Sequence, residues 1–473
     1  MSQDVHQHTE QSRSERRKMG KALRQQVPRS SHADWKPAPD RPDPISLLQE
    51  QDKTRLQHLV PIKYGRMLES PFAFLRGSAV VMASDLADTP VTGIRAVLCG
   101  DAHLSNFGVF ATPERQMVFD INDFDEAYPG PWEWDLKRLA ASVVVAGRQN
   151  GFGDKANREL AVAAAETYHG AMDKFFQMST LDVWYYHIDI NDVMAVFART
   201  SKKAAKHAQK LVDKARSRTQ ARTLEKLTHM EDGRRRINSD PPLLVPFRKE
   251  LFDQYLSAEE RDRISEKAFK NNWTQYLDSL PDERRFLLQR FRIIDAALRV
   301  GGVGSVGTRV TIALLEGGSD DDAIILQQKE AGASALEPYL PKRKHYIQHA
   351  ARVVTGQRLM QASSDIFLGW HHSEVTDIEY YWRQLKDMKG SADVSSMDET
   401  ALKTYVSMCA VCLARAHART SDAPGIRGYL GGNDAFAKAI SDFATAYADQ
   451  TERDHQALVD AVESGRVEAQ TGI

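Results

Sequence analysis

The chain has 473 residues, 42% hydrophobic and 27% charged, and its 63 Lys and Arg against 64 Asp and Glu leave a formal net charge of −1. That length suits two or three folded units at roughly 150 residues each, and the balanced charge argues against a dedicated nucleic-acid binder. No run of about 18 apolar residues is present, so no membrane partner is expected. Three cysteines are too few for a disulfide scaffold, and the first 45 residues carry no hydrophobic signal core, which together point to a cytoplasmic setting.

Taken in chain order, residues 1–45 are polar and read as a disordered arm, because they cannot bury enough apolar surface to offset ordering entropy. A unit from 46 to 298 follows. In it Ile94 to Cys99 predicts a strand entering a Gly100-Asp101 turn, and Phe107 to Phe110 and Gln116 to Asp120 predict a short hairpin. Asp135 to Arg148 and Asp154 to Phe176 have helical spacing. Lys202 to Leu227 is a basic helical stretch, read as a solvated face or as a surface for an anionic partner. Ile237 to Phe247 reads as loop, and Glu283 to Arg299 as an amphipathic helix. The segment 299–341 is β-rich: Arg309 to Leu315 and Ala323 to Gln328 flank the turn signal Glu316 to Asp322. From 342 to 465 helices are expected over Lys342 to Gln361, Asp377 to Lys386, Thr400 to His417 and Asn433 to Glu463. Cys409 and Cys412 form a C-x-x-C within one of them and read as buried helix cysteines.

Two groups of residues carry chemistry. In Cys99-Gly100-Asp101-Ala102-His103-Leu104-Ser105-Asn106, Asp101 and Asn106 stand five apart, and Val118-Phe119-Asp120 follows. A carboxylate that orients a hydroxyl and an amide oxygen that ligates Mg²⁺ suit phosphoryl transfer. Asp120 is expected to bridge metal ions, with Asp123 and Asp125 as further candidates. His103 either orients Asp101, contacts phosphate or is a packed histidine. The second group is Gly302-Val303-Gly304-Ser305-Val306-Gly307, followed by a strand, a turn and a second strand carrying Lys329. Gly302, Gly304 and Gly307 would cover nucleotide phosphates and Lys329 would position them, with Glu337 or Glu330 as the lysine's partner. A glycine hinge and a strand-end lysine are the plainer reading. Arg76, in Phe74-Leu75-Arg76-Gly77, binds phosphate or pairs with an acid.

Gly100 to Asn106, Val118-Phe119-Asp120 and Trp134-Asp135-Leu136 together resemble the aminoglycoside and choline kinase branch of the kinase-like superfamily. That branch carries H-G-D-x-H-x-x-N, I-D and D-L-A segments; Cys99 stands in place of the first histidine. The resemblance implies Asp101 as base, Asn106 and Asp120 as magnesium ligands, and Asp135 as a structural anchor. From about 45 to 463 the chain also resembles the bacterial family called domain of unknown function 2252. Its marks here are Phe74 to Gly77, Gly100 to His103, Gly302 to Gly307, Gln328 to Ala331 and Ala414 to Arg419. That likeness implies one continuous unit and no particular reaction.

The glycine loop follows the catalytic loop instead of preceding it, so the expected fold is α+β, two-lobed and protein-kinase-like, circularly permuted, with a helix-rich large lobe. The expected activity is transfer of the γ-phosphoryl of ATP, with Mg²⁺, to a hydroxyl of a small-molecule acceptor. Two alternatives stand beside it. One is a metal-dependent phosphoester hydrolase built on Asp101, His103, Asp120 and Asp123. The other is a nucleotide-binding interaction protein that docks a partner through the basic stretch 202–227.

Overall fold

The computed structural model of the chain describes residues 11–200, 202–247, 266–319, 322–341, 348–385 and 388–472. Its first helices begin where side-chain caps begin them. Ser12 and Glu15 form a capping box on α1 (Arg13–Ala22), and Asp43 caps α2 (Pro44–Asp52). After α3 (Val60–Met67), Ser70 caps α4 (Pro71–Gly77), and α5 (Ala79–Leu86) follows. Residues 1–10 of the expected disordered arm lie outside the described residues; from residue 11 onward the segment is docked. Arg16 pairs with Asp422 at 2.8 Å, and Arg24 and Arg29 donate to the carbonyls of Tyr429 and Leu430 at 2.8 and 2.6 Å. A polar segment with no core of its own is thus held by arginines on the carbonyls of another helix's end.

β1 (Arg95–Leu98), β2 (Phe107–Ala111) and β3 (Met117–Ile121) lie where alternation predicts strands, and the β2–β3 hairpin pairs from Phe107↔Ile121 to Ala111↔Met117. β4 (Tyr128–Pro131) returns to pair with β1. α6 (Trp132–Gln149) and α7 (Asp154–Gln177) follow. Next come α8 (Thr180–Tyr185), β5 (Ile188–Asp189), which pairs with β3, and α9 (Ile190–Thr200). The basic stretch is two helices, α10 (Lys202–Arg216) and α11 (Gln220–Leu227), the second capped by Thr219. β6 (Thr228–Glu231) and β7 (Arg234–Ile237) form a hairpin, and within the expected loop 237–247 the short β8 (Leu244–Pro246) joins the main sheet.

The expected helix 283–299 is corrected. α12 (Glu266–Asp278) and α13 (Asp282–Leu288) are helical, but Arg292–Arg299 is a strand, β9. It is paired on both sides, by β8 and by β10 (Val310–Glu316), and that pairing outweighs the local helical period. β10 turns into β11 (Ala323–Glu330) in register Val310↔Lys329 to Glu316↔Ala323. After α14 (His349–Met360) come β12 (Gly369–His372) and β13 (Glu379–Gln384). Within the expected helix 377–386, Glu379–Gln384 is therefore a strand, in keeping with the aromatic run Tyr380-Tyr381-Trp382, and residue 386 lies outside the described residues. The main sheet is antiparallel and six-stranded in the order β12-β13-β11-β10-β9-β8. Its apolar residues alternate between faces: Ile312 and Leu314 pack beside Leu224 and Ile237, whereas Ala313 and Leu315 pack on Tyr276 and Leu288.

The chain then passes through β14 (Gly390–Ser391), which pairs with β2, into α15 (Glu399–Thr420), α16 (Ala423–Leu430) and α17 (Ala435–Glu463). Helices α6, α7, α15 and α17 share the largest apolar core, where Trp132 stacks on Tyr168 with ring centroids 5.5 Å apart. Cys409 and Cys412 are free and buried on α15. The fold is α+β, and among the described residues no helix is long and apolar enough to cross a membrane.

Candidate active site

A cavity of 1370 Å³ lies between the main sheet and the loops around β1–β4, larger than the roughly 300–1,000 Å³ usual for one small ligand. It brings together Asp101, His103, Asn106 and Asp123 from one part of the chain with Gly302, Gly304 and Lys329 from another. Asp120, Gly307 and Glu337 do not line it.

The Gly100–Asn106 loop is held rigidly from behind. Gly100 has φ +79°, and a Cβ there would lie 2.2 Å from the Glu126 carbonyl oxygen, so only glycine fits. The N–H groups of Cys99 and Gly100 donate to Asp135 at 2.8 and 3.0 Å. Asp135 in turn lies 3.3 Å from His417 Nε2, whose Nδ1 meets the Tyr168 hydroxyl at 2.8 Å. Asp135 is therefore the anchor of the loop. Asn106 Nδ2 donates to the Asp101 carbonyl at 2.6 Å, which fixes the amide and leaves Oδ1 for another partner. The Asp101 carboxylate receives Arg138 Nε at 2.9 Å and stands 3.5 Å from His103 Nε2. Burial pushes the His103 imidazole down to about 4, with the Arg76 and Arg138 charges adding to the effect against Asp101. At neutral pH it is an uncharged ring that can donate to Asp101.

Asp120, expected to bridge metal ions, lies off the cavity lining. Its carboxylate is buried and fully engaged: Arg415 Nη2 reaches both oxygens at 2.7 and 2.8 Å, and the N–H groups of Ile121 and Ala362 donate at 2.8 and 2.7 Å. Asp123, in the turn beyond β3, faces the cavity instead. Burial alone would raise its carboxyl, but the charges of Lys329, Arg383 and Lys389 hold it below the usual carboxylate range. Asn122 between them donates its N–H to the Asn106 carbonyl at 2.7 Å, tying the two loops together. Both ends of its own buried amide lack a partner.

Lys329 projects from β11 on the same face as Gln327, both lining the cavity. Its ammonium pairs with Asp125 and lies 3.9 Å from Asp123. Burial would lower it, but those two carboxylates keep it firmly protonated. Tyr381, opposite Lys329 on β13, donates its hydroxyl to Asp125 at 2.5 Å. Neither expected partner is used. Glu337 accepts from the Ser334 N–H at 3.0 Å and lies 3.6 Å from Arg352, whereas Glu330 accepts from the Arg309 N–H at 2.9 Å.

The glycine turn is pinned to the N-terminal helices. Arg66 donates to the Gly301 carbonyl at 2.5 Å and the Leu56 N–H to the Gly307 carbonyl at 2.7 Å. Gly307, at φ +87°, closes the turn against Arg55 and does not reach the cavity. A Cβ at Gly302 would meet nothing within 4 Å, and one at Gly304 only the Arg76 carbonyl, at 3.6 Å. That face of the backbone is open to close approach by phosphate. Lys389, which the sequence did not single out, also lines the cavity and donates to the Asn122 carbonyl at 3.0 Å. Burial and neighbouring Arg383 bring its ammonium down to about 7.

Among the described residues no group of three or more His, Cys, Asp and Glu side chains is placed to hold a metal ion. Mg²⁺ shared between a nucleotide and one or two protein oxygens needs no such group, and the hard oxygens of Asn106 and Asp123 suit it. The orphaned Asn122 amide beside them is a further polar group in need of a partner.

Fold and site define an α+β protein in which a six-stranded antiparallel sheet and a helical body enclose one polar cavity. Residues 55–461 match the family described as an uncharacterized protein conserved in bacteria, domain of unknown function 2252, and the chain belongs to that family. No curated protein and no solved structure matches the chain.

Proposed function

We propose that this chain is a kinase-like phosphotransferase that moves the γ-phosphoryl of ATP to a hydroxyl of a small-molecule acceptor. The observation that carries the reading is the meeting of Lys329 with Asp123 and Asp125 across one cavity. Phosphotransferases of this kind place a glycine-rich turn between two strands, a lysine on the third strand, and a helix after it. β9, the 301–307 turn, β10, Lys329 on β11 and α14 follow that order. The opposite wall carries Asp101, Asn106 and Asp123 in the order of a catalytic loop and metal loop.

Circular permutation accounts for the order of the motifs. The strand-rich segment 292–384 leads through β14 into α15, whose Arg415 and His417 hold Asp120 and Asp135 behind the catalytic loop. The later part of the chain therefore supports the earlier part, as it would if one continuous unit had been opened at a different point.

In this reading Asp101 accepts the acceptor hydroxyl proton, held in place by Arg138 and by neutral His103. The backbone N–H groups near Gly302 and Gly304 bind phosphate oxygens, and Lys329 neutralises them. Asn106 Oδ1 and Asp123 would hold Mg²⁺, which supplies charge neutralisation at the phosphates when bound. The cavity's size leaves room for an acceptor beside the nucleotide. The test is ADP formation from Mg²⁺–ATP against a panel of hydroxyl compounds, with Asp101→Asn as the control. Turnover that survives Asp101→Asn, or a chain that takes no nucleotide, would contradict the reading.

A further inference from the structure

Each carboxylate lining the cavity already has a hydrogen bond or an ion pair: Asp101 with Arg138, Asp123 and Asp125 with Lys329, and Glu126 with the Ala335 N–H, for example. The cations are different. Among the described residues Arg76 and Arg299 line the cavity with no hydrogen bond or ion pair, and Arg76 Nε is buried without a partner. Both side chains are partly buried, and burial lowers the pKa of each. A partly desolvated guanidinium with no hydrogen bond or close ion pair costs stability, so two of them in one cavity need a reason.

Their positions supply one. Arg76 lies in the last turn of α4, with its carbonyl beside Gly304 and its charge felt by Asp101, Glu69 and His103. It therefore sits between the glycine turn and the catalytic loop. Arg299 ends β9, immediately before that turn. A planar guanidinium offers paired donors that match a phosphate or carboxylate, and partial burial strengthens the match.

We infer that Arg76, assisted by Arg299, forms an oxyanion subsite of this cavity, one that takes a phosphate-type group at the junction of the glycine turn and the Asp101 loop. The inference rests on the phosphotransferase reading for its two sources: the terminal phosphate of the nucleotide, or an anionic group carried by the acceptor. Either way the bound anion supplies the charge complement that the cavity's carboxylates, already engaged, do not give to Arg76 and Arg299.

The experiment is calorimetric titration of the full chain with inorganic phosphate, ADP and a non-hydrolysable ATP analogue, each with Mg²⁺. The proteins are wild type, Arg76→Gln, Arg299→Gln and Lys329→Met. Wild type should bind phosphate, and Arg76→Gln should weaken that binding about ten- to a hundredfold, the usual worth of a charged hydrogen bond. Arg299→Gln should weaken it less. Without ligand, both arginine variants should melt at or above the wild-type temperature, because each removes a partly buried charge that makes no hydrogen bond or close ion pair. A substantially lower melting temperature would mark a structural role and overturn the inference.

The sources separate cleanly. If the subsite reads the nucleotide, the ATP analogue displaces phosphate, and Arg76→Gln weakens the analogue more than ADP. If it reads the acceptor, phosphate still binds with the analogue saturating, and Arg76→Gln removes only the phosphate. Arg76-dependent phosphate binding in a chain that takes no nucleotide would refute phosphotransfer and keep the subsite. Wild-type phosphate affinity in Arg76→Gln, or no phosphate binding by wild type, would refute the subsite, and normal nucleotide binding alongside would leave phosphotransfer standing.

Discussion

Arg415 on α15 places one nitrogen, Nη2, 2.7 and 2.8 Å from the two carboxylate oxygens of Asp120, with both side chains almost wholly buried. The same nitrogen lies 2.7 Å from the Met360 carbonyl, so one group joins β3, α14 and α15. A buried pair of this kind fixes geometry, and removing one partner strands the other charge in the core.

Asp120→Ala should therefore cost about 3–5 kcal/mol of folding stability, whereas Asp123→Ala, at a partly exposed turn, should leave the melting temperature within a few degrees. Chemical denaturation of both variants checks this. A metal-ligand role for Asp120 predicts the reverse: little loss of stability and loss of Mg²⁺ dependence.

Gly100 gives a second prediction. Gly100→Ala places a methyl 2.2 Å from the Glu126 carbonyl oxygen at φ +79°. Backbone strain alone costs about 1–3 kcal/mol, and relief of the clash must move the Asp101 loop. The variant should lose both stability and turnover. Gly302→Ala meets nothing within 4 Å and should keep its stability, losing only nucleotide affinity. Equal melting temperatures for the two variants would contradict the geometry.

A third prediction concerns pH. His103 takes up a proton near 6.5 when unfolded and at about 4 when folded, mainly because it is buried. Between those values the unfolded chain binds the extra proton, so stability falls as pH drops through that window and levels off below it. The total is about 3 kcal/mol for this group. His103→Gln removes that share, so the stability difference between wild type and variant should shift by about this amount from pH 7 to pH 4. A pH-independent difference would mean that the ring titrates alike in the native and unfolded chains, as a solvated imidazole does.

Parts of the candidate site are legible in the sequence, for reasons that differ by residue. The Asp101–Asn106 spacing is local, and one rigid turn between two strands sets it. Lys329 was legible because the Glu316 to Asp322 turn signal is flanked by runs of β-branched residues. All five residues of β3 are buried, so alternation does not say that Asp120, its one acid, turns away from the cavity, whereas Asp123 beyond the strand end lines it. The partner of Lys329 is 204 residues away at Asp125, out of reach of any local pattern. In the fold, the sequence predicts helix at Arg292–Arg299 and Glu379–Gln384, and sheet pairing on both sides decides otherwise.

In the proposed phosphotransferase the glycine turn and Lys329 belong to one site with Asp123. Thermal unfolding of wild type, Lys329→Met and Asp123→Ala, with Mg²⁺ alone and with a Mg²⁺–ATP analogue, tests it most directly. Analogue at about 100 times its Kd should add roughly 2.7 kcal/mol to the native state. The account predicts this gain in wild type, its loss in both variants, and no comparable gain with Mg²⁺ alone. Stabilisation by the metal alone that is indifferent to Lys329, or no response to the analogue at all, would contradict it.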